Sequence, residues 1–148
     1  MKKNKKPLSR RDSRCLAFQI MYAWDRFDYD MPLENIVENF EKGFDIEIPM
    51  DSLAVQMVQG STEQTKELDE IVKPLLQNWK IERIGCCTKL ILRLALWELI
   101  QPESIPSVVI NEAVELAKAF AEQDAHKFVN GILDKAKEMI SETKNVKK

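Results

Sequence analysis

The 148-residue chain has little of what enzymes and metalloproteins are built from. It contains one histidine, His126, four glycines and three cysteines, and it has no glycine-rich phosphate loop. A side-chain nucleophile needs a base and an orienting group within reach, and one histidine does not supply them. Cys15, Cys86 and Cys87 have no chelating spacing, so we expect reduced, small apolar side chains there. The sequence therefore predicts no enzyme, no cofactor and no metal site.

Long apolar runs and a secretory leader pattern are also missing. The most apolar stretch, residues 90–100, contains Arg93 and Glu98 and is far shorter than the roughly 20 apolar residues that cross a bilayer. With 45% apolar and 31% charged residues, the composition is typical of a cytoplasmic protein. The length predicts a single domain, 1–148, with a flexible basic arm over 1–8 and a flexible tail over about 141–148.

The periodicity of the apolar residues is helical throughout. Alternating apolar and polar runs are absent, whereas three- and four-residue spacing recurs and predicts about seven helices. Ser9 and Asp12 resemble a capping box that opens the first helix. Gly43 predicts the C-terminal end of the second helix, and Pro74 interrupts the fourth. A fifth helix over about 86–100 is apolar on nearly every side, as at the centre of a bundle.

The segment 105–134, IPSVVINEAVELAKAFAEQDAHKFVNGILD, reads as two amphipathic helices joined by a polar corner near Asp124. The apolar stripe of the second helix runs through Asn130 and Gly131. A glycine inside a helix costs about 1 kcal/mol relative to alanine, so it predicts that something approaches the backbone closely. A packed helix is favoured over a ligand as the neighbour of Gly131.

Positive charge is concentrated at the N-terminus. Residues 1–14 hold seven lysines and arginines against one aspartate, a net charge of +6. Because the net charge of the whole chain is −2, the remaining residues carry −8. Arg10, Arg11 and Arg14 fall in the first turns of a helix, where the dipole disfavours cations but favours a bound phosphate. Phe18 and Tyr22 follow Arg14 at four-residue spacing. Arginines followed by aromatic rings are typical of single-stranded nucleic-acid binding, and a solubilising arm followed by core aromatics is the alternative.

Three stretches together resemble a known family. RRDSRCLAFQIMYAW, RIGCCTKLILRLALWEL and the segment 105–134 are similar, in the same order and over residues 10 to about 136, to the NusB family of bacterial transcription antitermination factors. The resemblance implies an all-α fold of two packed helical bundles, with helices one to three in one and four to seven in the other. It also implies a function in which the protein pairs with the ribosomal protein NusE, binds boxA RNA of nascent ribosomal RNA transcripts and helps RNA polymerase resist termination.

The resemblance also assigns residues. The RNA surface maps onto the arginines already named, Arg10, Arg11 and Arg14, and onto Asp124, Lys127 and Phe128 of the polar corner. Tyr22, Thr88 and Lys89 map onto the surface for NusE. Asn111, Glu112, Asn130 and Gly131 match motif positions that we interpret as structural.

Two positions depart from the family pattern. Thr88 stands where an acidic residue is common, which puts one polar contact with NusE in doubt, and Trp97 replaces the usual tyrosine. The RNA-binding domain of ribosomal RNA cytosine methyltransferases and a helical scaffold protein that does not bind RNA are the alternative functions. The sequence leaves open whether the free protein is a monomer or a homodimer.

Overall fold

A computed structural model describes residues 8–77 and 80–146, with the backbone alone for 144–146. Its regular structure is helical apart from one isolated bridge residue, Ile46. The all-α prediction and the number of helices are confirmed. The seven helices are α1 (Arg10–Arg26), α2 (Leu33–Phe44), α3 (Leu53–Glu63), α4 (Thr65–Val72), α5 (Cys86–Leu99), α6 (Pro106–Phe120) and α7 (Ala125–Val146), with short 3-10 turns at Lys73–Leu75 and Ile81–Arg83.

The chain divides into two compact units, Met1–Gly60 and Ser61–Lys148. In the first unit α1 packs against α2, and their apolar faces are buried, including Ile20 and Ile36. The Ser9 side chain accepts a hydrogen bond from the Asp12 backbone N–H at 3.0 Å, so the predicted cap is present. The expected end of α2 at Gly43 is wrong. The helix continues to Phe44, and Asp45 takes the left-handed conformation (φ 52°) that ends it.

The second unit is organised around α5, which packs against α4, α6 and α7. Its apolar residues are buried on most sides, as the sequence predicted, and Lys89, Arg93 and Trp97 form a half-buried strip at four-residue spacing. Arg93 joins α5 to α4, because its Nε and Nη2 donate to the two carboxylate oxygens of Asp69 at 3.0 and 2.9 Å. As expected, Pro74 ends α-helical geometry and lies in a 3-10 turn.

Helices α6 and α7 pack along one another, but one expectation about α7 is wrong. Gly131 is exposed, and a Cβ built there would meet nothing within 4 Å, so none of the described helices approaches its backbone. The segment from about 141, for which a flexible tail is predicted, is helical as far as Val146, and its flexibility stays a prediction. The predicted flexible arm over 1–8 falls outside the described residues except for Leu8.

Candidate nucleic-acid interface

The three candidate arginines at the beginning of α1 differ in solvent exposure. Arg10 and Arg11 are exposed, whereas Arg14 is only 5% exposed and lies in the core beside the buried Ser13. Residues four apart share a helix face, so the face that begins exposed at Arg10 becomes buried one turn later. Buried guanidinium groups are held by hydrogen bonds or ion pairs, and Arg14 has such an interaction. The structure therefore presents Arg10 and Arg11, and not Arg14, to solvent.

The aromatic residues that follow on the same face are also divided. Phe18 is 2% exposed and belongs to the core, so the expectation that a base stacks on it is wrong. Tyr22 is 38% exposed, and its ring centroid lies 6.4 Å from that of Phe18. The Arg26 guanidinium lies 5.3 Å from the centre of the Tyr22 ring, at cation–π distance. On this face of α1, Tyr22 is therefore the exposed aromatic ring that an RNA base or a protein partner could contact.

The corner between α6 and α7 carries the second group of candidates. Asp124 precedes α7 in the left-handed region (φ 68°), and its carbonyl accepts from the Lys127 N–H at 3.1 Å. The Lys127 Nζ lies 3.7 Å from the Asp124 carboxylate, with both side chains largely exposed. Phe128 is half-buried. The first turn of α7 therefore presents a solvated cation next to a partly covered aromatic ring, and a phosphate can displace so weak a surface pair at little cost.

The candidate partner residues on α5 differ in accessibility. Lys89 is half-buried, but Thr88 is only 1% exposed, and its hydroxyl donates to Glu122 Oε1 at 3.1 Å. A partner therefore cannot reach Thr88 as the structure stands, which corrects the expectation of direct contact. Gly85, the N-cap of α5, has no side chain to cap the helix, and a Cβ there would lie 3.0 Å from both Glu122 carboxylate oxygens.

Sequence reasoning missed Glu122. It lies in the loop between α6 and α7 and accepts a hydrogen bond from Thr88 in the first turn of α5. The two residues are 34 positions apart in the sequence. The sequence did contain one signal for it, because the residue before α5 has no side chain that could cap the helix. The backbone N–H groups of an uncapped helix start need a hydrogen-bond acceptor from elsewhere in the chain. Glu122 thus ties the candidate RNA corner to the helix that carries Lys89.

Among the described residues, no cluster of three or more His, Cys, Asp or Glu side chains is placed to hold a metal ion. The three cysteines are free thiols, and burial, with a smaller contribution from Asp12, raises the pKa of the Cys15 thiol. Within residues 8–77 and 80–146, no helix is both long and apolar enough to span a bilayer.

An all-helical chain with exposed arginines at one helix start and a lysine at another has the features of a nucleic-acid-binding protein. The family model for NusB matches residues 11–138, and the chain belongs to the NusB family. It is 43% identical over 135 residues to the transcription antitermination protein NusB of Shewanella amazonensis, covering 88% of this chain and 96% of the relative. It is 35% identical to that of Staphylococcus haemolyticus, covering 88% and 100%.

Solved structures agree with this assignment. The fold superposes on NusB of T. maritima with a TM-score of 0.74 at 28% identity, covering 90% of this chain and 93% of the other. It also matches a chain in the crystal structure of antitermination factors NusB and NusE in complex with dsRNA, with a TM-score of 0.72 at 27% identity, covering 88% and 96%. The named relatives are transcription antitermination proteins, in agreement with the sequence-based prediction that the protein is not an enzyme.

Proposed function

We propose that the protein is a transcription antitermination factor that binds boxA RNA together with NusE and acts within the antitermination complex of RNA polymerase in the cytoplasm. The observation that carries the proposal is the near-complete match, in sequence and in fold, to NusB chains, one of them solved with NusE and RNA. Both of these curated relatives, at 43% and 35% identity, are NusB proteins, which favours the function of NusB over that of the RNA-binding domain of a methyltransferase.

The exposed cations define how RNA is held. Arg10 and Arg11 pair with phosphates at the positive end of the α1 dipole, which adds to the field of their guanidinium groups. Lys127 provides a further phosphate contact, and the ring of Phe128 stacks on a base. Asp124 positions Lys127 through the contacts described above. Arg14 acts indirectly, by holding the start of α1 in place from the core.

The partner surface combines an aromatic ring with acidic surroundings. Tyr22 and Lys89 contact NusE directly, whereas Thr88 supports the α5 start through its hydrogen bond to Glu122. Residues 15–148 carry a net charge of −8, which suits a basic ribosomal protein. The same negative charge opposes indiscriminate binding of nucleic acid, so we expect RNA affinity to depend on the partner.

Titration of labelled single-stranded boxA RNA tests the proposal. The protein alone binds weakly, and the affinity increases when NusE is added, because the partner neutralises the acidic surface and contributes its own contacts. The logarithm of the affinity falls linearly with the logarithm of salt concentration, since phosphate contacts release counterions. A scrambled RNA of the same length is the control for sequence recognition. Equal affinity with and without NusE, or no salt dependence, would overturn the proposal.

A further inference from the structure

An open groove runs between α6 and α7 on their outer side, with a volume of about 430 Å³. It begins at the polar corner, since Lys127 lines it, and it continues along both helices. Seven of the nine residues that line it have polar side chains, and Ile110 and Val114 supply apolar surface between them. The residues that line it are Ser107, Ile110, Asn111, Val114, His126, Lys127, Asn130, Asp134 and Lys137.

The α7 wall of the groove carries charges at its two ends. Lys127, Asn130, Asp134 and Lys137 follow one another at three- and four-residue spacing, which puts them on one helix face. All four residues are exposed. From Lys127 to Lys137 the rise is about 15 Å at 1.5 Å per residue, so two cations border a stretch that contains an amide and a carboxylate.

The α6 wall supplies a second amide. Asn111 is exposed, Val114 is half-buried, and Ile110 is buried at the base of the groove. An asparagine amide both donates and accepts, and can pair with the edge of a base such as adenine. A carboxylate such as that of Asp134 accepts from the exocyclic amino group of cytosine. The centre of the groove therefore carries the groups that recognise base edges.

We propose that this groove is a base-recognition site for single-stranded RNA, in which Asn111 and Asn130 hydrogen-bond to base edges while Lys127 and Lys137 pair with phosphates. The inference rests on the proposed function and extends it from the corner along α7. The interpretation of these asparagines as purely structural does not fit their exposure. Gly131, next to Asn130, leaves open space around the helix backbone, because a Cβ there would meet nothing within 4 Å.

Charge and continuity favour RNA over a protein segment as the occupant. Lys127 belongs both to the corner and to the groove, so a strand held at the corner continues directly into it. The charged side chains that line the groove are two lysines and one aspartate, and with the Asp124 carboxylate beside Lys127 the local charge is close to zero, in a chain whose body is acidic. Unpaired bases, splayed out and read on their edges, are the usual targets of sequence-specific RNA recognition.

Two substitutions in the complex with NusE separate base recognition from phosphate binding. We expect Asn130→Ala to lower the affinity for single-stranded boxA RNA about tenfold, the discrimination of one base contact, with an unchanged salt slope. Lys137→Ala lowers the affinity and also reduces the salt slope by about 0.7, the value for one phosphate of a single strand. Lys118→Ala is the matched control, because Lys118 is an exposed α6 lysine paired with Glu115 and lies outside the groove.

A second measurement observes the site without mutation. Glycine amides have a distinctive position in nitrogen–proton correlation spectra, and we expect the Gly131 signal to shift on RNA addition while that of Gly43 in α2 stays. If the wild-type complex binds no RNA, the proposed function fails. If it binds RNA but Asn130→Ala is unchanged and Gly131 does not shift, the groove inference alone is overturned. Loss of NusE binding by Asn130→Ala in the absence of RNA would also overturn it, since the groove would then hold protein.

Discussion

The starts of α1 and α7 both present cations, but in different surroundings. Helix α1 is capped by its own Ser9, and its exposed Arg10 and Arg11 follow a segment with four lysines in residues 1–7. Helix α7 starts after Asp124, whose carboxylate lies 3.7 Å from Lys127. The α1 start therefore concentrates positive charge, whereas the α7 start nearly balances it.

This difference suggests a division of labour in RNA binding. A strong positive field attracts any polyanion and supplies affinity that depends on salt. A balanced surface that is rich in amides gains less from charge, and it discriminates between bases through hydrogen bonds. We therefore expect changes at α1 to act on all RNA sequences alike, and changes along α7 to act on the preferred sequence most.

The largest expected effect is on stability and lies inside α1 itself. Arg14→Ala removes a buried guanidinium together with the interaction that it makes, so we expect the free energy of unfolding to fall by about 3 kcal/mol. Arg10→Ala, one turn earlier and exposed, changes it by less than about 0.5 kcal/mol. Urea denaturation followed by circular dichroism measures both. If Arg14→Ala weakens RNA binding at unchanged stability, Arg14 belongs to the RNA surface after all.

The next effect is on affinity. Replacing Arg10 and Arg11 together by alanine removes two phosphate contacts, and we expect RNA affinity of the NusE complex to fall about tenfold or more, with a salt slope smaller by about 1.4. The loss is the same for boxA and scrambled RNA. Lys42→Ala with Lys73→Ala is the control, because both lysines are exposed and paired locally, Lys42 with Glu38 in α2 and Lys73 with Glu70 at the end of α4. Unchanged RNA binding of the arginine variant would favour a scaffold protein.

The smallest effect compares two helical glycines, Gly131 within α7 and Gly43 in the last turn of α2. Gly43 in α2 and Gly131 in α7 both lack any neighbour within 4 Å of an added Cβ, and neither has a positive φ. Each substitution by alanine is therefore expected to raise the free energy of unfolding by about 0.5–1 kcal/mol through helix propensity. Thermal and urea denaturation check this. A loss of stability at Gly131 alone would mean that something does pack against its backbone, as the sequence first indicated.

Much of the fold was predictable because helical periodicity is a local property. Helix α5 is buried on most sides, as its apolar pattern predicted, and Pro74 ended α-helical geometry as its missing N–H requires. The residue that ends α2 in the left-handed conformation lies two positions beyond the predicted Gly43. Asp45 adopts the left-handed conformation there although glycine is the usual choice.

The site was less predictable, because burial is decided by neighbours distant in sequence. Spacing alone puts Arg10 and Arg14 on one face, and the boundary of the core falls between them. Glu122 was missed for a similar reason, since its contact with Thr88 joins residues 34 apart. The distribution of charge along the chain, in contrast, sufficed to identify residues 1–14 as a strongly basic segment with a net charge of +6.

The carboxylate of Glu122 has one further consequence for where RNA is held. The N-terminal end of a helix attracts anions through its dipole and its unpaired amides. At α5 that position is already filled from within the chain, by a carboxylate next to Gly85 and bonded to Thr88. To bind there, a phosphate would have to displace the negatively charged Glu122 carboxylate. The α5 start is thus a closed anion site, in agreement with the proposal that phosphates are held at the starts of α1 and α7 instead.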